Sequence, residues 1–177
     1  MSNIVYIATS LDGYIADKDG GLDWLHSIPN PDNLDLGWAD FMGQIDALVM
    51  GRNTFETVCG FDVQWPYPKP VFVLSNSMTS IPEAYSDKAE IVSGPLLQVV
   101  DSLNAKGFTN LYIDGGNTIQ SFLQADLIDE MIITQIPILL GGGVPLFSAL
   151  SKPITFEFVS TKVQLDAMVQ THYRRKR

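Results

Sequence analysis

Short apolar runs alternate with amphipathic stretches along most of the chain. Residues 4–9 (IVYIAT) are nearly all apolar and rich in β-branched side chains, the pattern of a strand buried on both faces. The pattern returns at 46–51 (DALVMG), 70–75 (PVFVLS), 89–93 (AEIVS) and 110–116 (NLYIDGG, closing in a glycine turn). It predicts a longer strand over 129–143 (DEMIITQIPILLGGG). Between these runs the period becomes helical. Leu36, Ala39, Phe41, Met42 and Ile45 predict a short helix over 36–45. Residues 53–58 (NTFETV) open another, with Asn53 or Thr54 near its N-cap. Residues 95–107 carry Pro95 in the first turn and Gly107 just past the end of a third. In 117–128, Ile119, Phe122, Leu123 and Leu127 share one helical face.

Strands alternating with helices imply a mainly parallel sheet with right-handed crossovers. Residues 154–162 (ITFEFVSTK) and 167–174 (AMVQTHYR) instead alternate apolar and polar, as an antiparallel pair half exposed on one face does. The expected fold is α/β: a mainly parallel central sheet flanked by helices, with a C-terminal antiparallel hairpin, in one domain over 1–177. The terminal strands also offer an edge or face for a homodimer.

Composition narrows the partners. The net charge of −9 repels phosphate backbones and argues against nucleic acid. The basic run at 174–177 (RRKR) reads as a solvated tail end. Cys59 is the only cysteine, and His26 and His172 lack ligand-like spacing, so neither a disulfide framework nor a metal site is expected. The N-terminus lacks the features of a signal peptide, and no apolar run reaches spanning length. The expectation is a soluble, cytoplasmic protein without membrane contact.

Open α/β sheets bind ligands beyond the carboxyl ends of their strands, where helix N-termini converge. Two such junctions look built for anions. In VMGRNTFE (49–56), Gly51 permits close backbone approach, Asn53 and Thr54 offer polar groups, and Arg52 brings a fixed charge. In YIDGGNTIQ (112–120), Gly115 and Gly116 open a helix whose first N–H groups lack partners. A pyrophosphate has two phosphates to hold, so the pair says more than either alone. A third junction, VLSNSM (73–78), presents Ser75, Asn76 and Ser77 to a ribose or a 2′-phosphate, or forms an ordinary polar turn. G-x-G-x-x-G opening a helix, G-x-x-x-x-G-K-[ST] and G-x-S-x-G are all absent. The glycines of LLGGGVPLF (139–147) follow a long strand and precede Pro145, which suits a loop closing over the sheet end.

The segment SLDGYIA (10–16) poses a local conflict. Asp-Gly between apolar runs signals a tight hairpin. Yet it follows a strand that reads as central and parallel, and a second Asp-Gly comes at 19–20. The stretch is therefore expected to bend across the ligand end of the sheet. DKDGGLDWL (17–25) would continue as a lid carrying Trp24.

Taken in order, SLDGYIA, LDWL, DALVMGRNTFE, VLSNS, IDGGNTIQSFL and PILLGGGVPLF resemble the dihydrofolate reductase-like fold. The closer resemblance is to the branch shared with the reductase domain of bacterial riboflavin-biosynthesis enzymes, including its stand-alone members. It spans essentially the whole chain. It implies a reductase binding NADPH in an extended pose. Ala8, Tyr14 and Ile15 would border the nicotinamide, and Gly51, Arg52, Asn53 and Thr54 the phosphates and 2′-phosphate side. Leu74, Ser75, Asn76 and Ser77 would lie beside the adenine ribose. Gly115, Gly116, Asn117, Thr118 and Ile119 would form the pyrophosphate turn. Thr134 matches a strand position facing the substrate. Some positions depart from the family pattern. Gly37 stands where classical dihydrofolate reductases carry the pterin-binding carboxylate, and Asn76 where many NADPH users have a basic residue. No basic cluster for a ribose phosphate is evident.

The mechanism so implied is hydride transfer to a C=N or C=O carbon of a small heterocycle, resembling 5-amino-6-(5-phosphoribosylamino)uracil reductase. Asp12 is the expected catalytic group, supplying a proton directly or through water. Trp24, Phe41 and Thr134 are expected on the substrate side. The alternatives are reduction of a pterin, a nucleotide- or flavin-binding protein without turnover, and a partner-binding domain.

Overall fold

The computed structural model describes residues 1–177. The first strand, β1 (Ser2–Ser10), lies inside the main sheet, and a three-residue strand, β2 (Tyr14–Ala16), follows the bend at its end. Helix α1 (Trp38–Gln44) leads into β3 (Ala47–Gly51), α2 (Arg52–Cys59), β4 (Val71–Leu74) and β5 (Ala89–Val92). Then come α3 (Leu96–Ala105), β6 (Asn110–Asp114), α4 (Gly116–Gln124) and β7 (Glu130–Ile136). A two-residue strand, β8 (Val144–Pro145), precedes the final pair β9 (Phe156–Gln164) and β10 (Met168–Arg175).

Eight strands form one sheet in the order β5-β4-β3-β6-β1-β7-β10-β9. The first six are mutually parallel; β10 runs antiparallel to β7, and β9 to β10. The expected architecture is thus the one observed. Period-2 alternation splits the central strands between two cores. Val5, Val49 and Ile113 face one core with Phe122 of α4 and Val99 of α3. Ile4, Leu48 and Tyr112 face the other with Phe41 of α1 and Phe55 of α2. Strands buried on both faces must read as unbroken apolar runs, which is why β3 and β6 were recognisable. No helix is long and apolar enough to cross a membrane, and no group of three or more His, Cys, Asp or Glu could hold a metal ion.

Several local expectations need correction. The strand predicted over 129–143 stops at Ile136, because Pro137 has no N–H to extend the ladder. Beyond it, Gly141, Gly142 and Gly143 all take positive φ in a loop. Helix α2 is not capped by Asn53 or Thr54. It starts at Arg52 after Gly51 with no side-chain cap, so Thr54 lies inside the first turn. The basic run at 174–177 is not a free tail. The Arg175 guanidinium forms a bidentate pair with Asp126 (2.7 and 3.0 Å), and Arg177 pairs with Asp129 at 2.6 Å. By contrast, the bend expected over SLDGYIA is present, and the segment forms no hairpin with β1. Gly13 takes φ +85°, its N–H returns to the Ser10 carbonyl, and β2 then pairs with β8.

Candidate active site

The two glycine junctions lie side by side, because β3 and β6 are parallel neighbours with Met50 opposite Asp114. Each glycine faces the threonine of the other junction. A Cβ on Gly51 would come within 2.8 Å of Thr118 Oγ1, and one on Gly115 would collide with Thr54 Oγ1. Thr54, already inside the first turn of its own helix, turns its hydroxyl toward the neighbouring junction. Gly115 also has φ +93°, which a side chain disfavours. Helices α2 and α4 therefore present their unpaired N–H groups to one floor. Above it runs a groove of about 1110 Å³.

Most residues expected at a cofactor come together there. Ala8 and Ile15 line one end of the groove, and Gly51, Arg52, Asn53 and Thr54 line one side. Gly115, Gly116, Asn117 and Thr118 form the adjoining wall; Leu74, Ser75 and Ser77 also line it. Three do not reach it. Tyr14 does not line the groove, and its N–H donates to Ser10 Oγ at 3.0 Å. Asn76 spends its side-chain oxygen on the Gly94 N–H at 3.2 Å. Ile119 is fully buried in the core beneath.

Charge in the groove is uneven. Arg52 is held by Glu56 (Nε to Oε1, 2.7 Å), and its Nη1 reaches toward Ser77 Oγ at 3.5 Å. Ser75 Oγ lies 3.4 Å from Ser77 Oγ. Asp114, at the end of β6, also lines the groove, although no motif singled it out. Burial pushes its carboxyl up to about 6, and the hydrogen bond from the Gly115 N–H opposes that only in part. Burial and then this carboxylate push the Tyr67 and Tyr112 phenols upward. A polar residue closing an otherwise apolar strand, just before two glycines, was the available signal.

At Ile7, Ala8 and Leu25 the groove meets a second cavity of about 300 Å³. Thr134 lines it, as expected of a substrate-facing position. Phe41 does not: it is buried and stacks on Tyr6 with ring centroids 4.3 Å apart, so Tyr6 forms the wall instead. Trp24 is not a lid surface. It lies in a 3₁₀ turn (Asp23–His26), packs against Ile136 and Met168, and donates from Nε1 to the Gly21 carbonyl at 3.2 Å. Neighbouring Leu25 and His26 line the cavity in its place. Residues that sequence reasoning missed here include Tyr6, Trp38, Asp35 and Gln164. A polar tip on a strand was the only signal for Tyr6 and Gln164, whereas Asp35 and Trp38 lie in the loop and first turn that open α1.

Asp12 lines neither cavity. Its carboxylate accepts from Ser10 Oγ (2.6 Å) and from the N–H groups of Leu140 (3.1 Å) and Gly141 (2.8 Å). The Ser10 hydroxyl, then these amides, hold it below the usual carboxylate range. That arrangement suits a clamp between the bend and the glycine loop and is poorly suited to donating a proton.

Comparison with known proteins shows the family and the fold. The RibD C-terminal domain family matches residues 3–169. The uncharacterized protein YwjB of Bacillus subtilis (strain 168) is 35% identical over 175 residues, covering 97% of each chain. The crystal structure of a "Putative riboflavin biosynthesis protein" from Shewanella sp. PV-4 superposes with a TM-score of 0.98 at 61% identity, covering 100% of both chains. More distant structures share the fold alone. The Thermotoga maritima diaminohydroxyphosphoribosylaminopyrimidine deaminase/5-amino-6-(5-phosphoribosylamino)uracil reductase gives 0.74 at 17% identity, over 99% of this chain and 56% of that one. Dihydrofolate reductase from Enterococcus faecalis, complexed with NADP(H), gives 0.63 at 21%, over 99% and 97%. The fold is dihydrofolate reductase-like, and the chain belongs to the RibD C-terminal domain family.

Proposed function

We propose that the chain is an NADPH-dependent reductase acting on a C=N or C=O bond of a small heterocycle. The observation that carries this reading is the meeting, at Ala8, of an elongated anion-ready groove with a smaller apolar cavity. Gly51 and Gly115, each against the other junction's threonine, leave a floor where only backbone N–H groups approach a ligand. That cradle fits a dinucleotide pyrophosphate. Arg52 with Ser75 and Ser77 would hold a 2′-phosphate, favouring NADPH over NADH; Glu56 fixes the guanidinium and leaves its Nη groups for the phosphate. When bound, the reduced nicotinamide supplies the hydride.

The chain's own residues bind, orient and exclude water. Ala8 and Ile7 form the shared floor between the two sites, where a small side chain allows two rings to approach. Thr134 and Tyr6 place hydroxyls in the substrate cavity. The proton that accompanies the hydride comes from water or one of these hydroxyls. Asp12 acts by fixing the bend and the 139–143 loop, not by proton transfer. The exposed apolar side chains of the terminal strands, Phe158, Val159, Val163 and Val169, support a homodimer through that face.

The test is a titration with NADPH and NADH, followed by oxidation assays with pyrimidine and pterin substrates. Saturable NADPH binding and turnover of at least one ring are expected. Binding without turnover would favour a nucleotide-binding protein, and failure to bind either nucleotide would remove the reductase reading.

A further inference from the structure

The smaller cavity speaks to substrate class, an inference that rests on the reductase reading. Of the eleven lysines and arginines in the chain, Arg52 alone lines either cavity, and it lies in the groove, not in the smaller cavity. No guanidinium or ammonium lines the smaller cavity. Its one carboxylate is Asp35, which accepts the N–H groups of Gly37 (3.0 Å) and Ala39 (3.1 Å). Those bonds, helped by Lys162, keep it below the usual carboxylate range, so it stays anionic. Lys162 stands at the rim: its Nζ lies 3.3 Å from where a Cβ on Gly37, between the lining residues Leu36 and Trp38, would be. Asp35 offsets its charge. A sugar phosphate is normally held by Arg forks or Lys ammonium groups, and here it would meet a fixed anion in the lining instead.

The polar groups that are present suit a ring carbonyl. Gln170, buried on β10, donates from Nε2 to Thr134 Oγ1 at 2.9 Å and to the Tyr6 hydroxyl at 3.3 Å. An amide nitrogen carries two hydrogens, so both hydroxyls act as acceptors toward it. Each keeps its own hydrogen to donate. Tyr6 sends its hydrogen to the Leu36 carbonyl over a long 3.3 Å, whereas Thr134 Oγ1 makes no other hydrogen bond. An O–H without an acceptor in an apolar wall of Trp38, Ile136 and Met168 is a recognition element for an acceptor on a ligand.

We propose that the substrate is an uncharged, planar heterocycle without a phosphate, whose ring carbonyl accepts from Thr134 with Tyr6 beside it. Gln170 is a positioning residue: it sets both hydroxyls as donors. The volume of about 300 Å³ is at the small end for ligand sites and suits one or two fused rings.

The test is calorimetry on the chain with and without NADP⁺, using lumazine, 5,6-diaminouracil and 5-amino-6-(5-phosphoribosylamino)uracil. The two phosphate-free rings are expected to bind about tenfold or more tightly than the phosphoribosyl compound. Equal or tighter binding of the phosphoribosyl compound, or binding of none of the three, overturns the proposal. Failure of NADP⁺ itself to bind would count against the reductase reading alone, since the rings are also titrated without it. Gln170→Glu offers acceptors in place of the donor. It should weaken lumazine about tenfold. It should leave unchanged the affinity for unsubstituted pteridine, which lacks the carbonyls, and for NADP⁺. Thr134→Val should weaken lumazine likewise, and Thr134→Ser should restore it. Unchanged lumazine affinity in Gln170→Glu or Thr134→Val overturns the assigned roles.

Discussion

At the scale of residues, the carboxyls of two aspartates near the site are shifted in opposite directions. Burial raises the Asp114 carboxyl to about 6, above the ordinary 3.8. The folded chain therefore holds a proton that the unfolded chain has lost between those values. The stability this group contributes is full below pH 3.8 and is lost as pH rises through 6. Asp114→Asn should accordingly raise the melting temperature relative to wild type at pH 8 and leave it nearly unchanged at pH 4. A uniform shift at both pH values would contradict the assignment. Asp12 runs the other way. Its folded value lies below the ordinary one because of Ser10 and the two loop amides, so its contribution is present above the ordinary value and lost as pH falls through the lowered one. Asp12→Asn should flatten that acid loss and speed proteolysis within 139–143. Its effect on turnover should come through loop disorder, visible as faster amide exchange at Leu140 and Gly141.

At the scale of elements, the paired junctions depend on two glycines in adjacent strands. Gly115→Ala places a Cβ against Thr54 at positive φ, and backbone strain alone costs about 1–3 kcal/mol. The companion change Thr54→Ser leaves that collision in place, whereas Thr54→Gly removes it. Melting curves should show Gly115→Ala destabilised and partly recovered in combination with Thr54→Gly. No recovery would place the cost elsewhere.

How much was legible also divides by element. The apolar runs of β3, β4 and β6 and the asymmetry of Pro95 and Gly107 around α3 identified the parallel core, because burial on both faces leaves little choice of residue. The glycine junctions were legible as backbone approach points. What lay beyond sequence was long-range pairing. Thr54 looked like a cap because local rules see only its own helix, whereas Gly115 stands 61 positions away in the chain, the difference between 115 and 54. Asp12 looked catalytic because its partners, Leu140 and Gly141, are more remote still. Trp24 looked like a lid because loop composition hides a small core formed with Ile136 and Met168.

For the whole molecule, the topology separates the groove from the exposed apolar edge of the sheet. The groove crosses the ends of β3, β6 and β1, while β9 forms the far edge with Phe158 and Val163 exposed at 63% and 65%. Sedimentation velocity is expected to show a dimer that Phe158→Lys converts to a monomer with unaltered nucleotide affinity. A monomeric wild type would contradict that expectation and leave the site untouched.

The central claim is that the groove holds NADPH with Arg52 on its 2′-phosphate. Its most direct test is calorimetric titration of wild type and Arg52→Ala with NADPH and NADH. The account predicts one saturable site, with NADPH about tenfold or more tighter than NADH in wild type. It also predicts near-equal affinities in Arg52→Ala. Saturable binding of neither nucleotide, or an NADPH preference that survives the loss of Arg52, would contradict it.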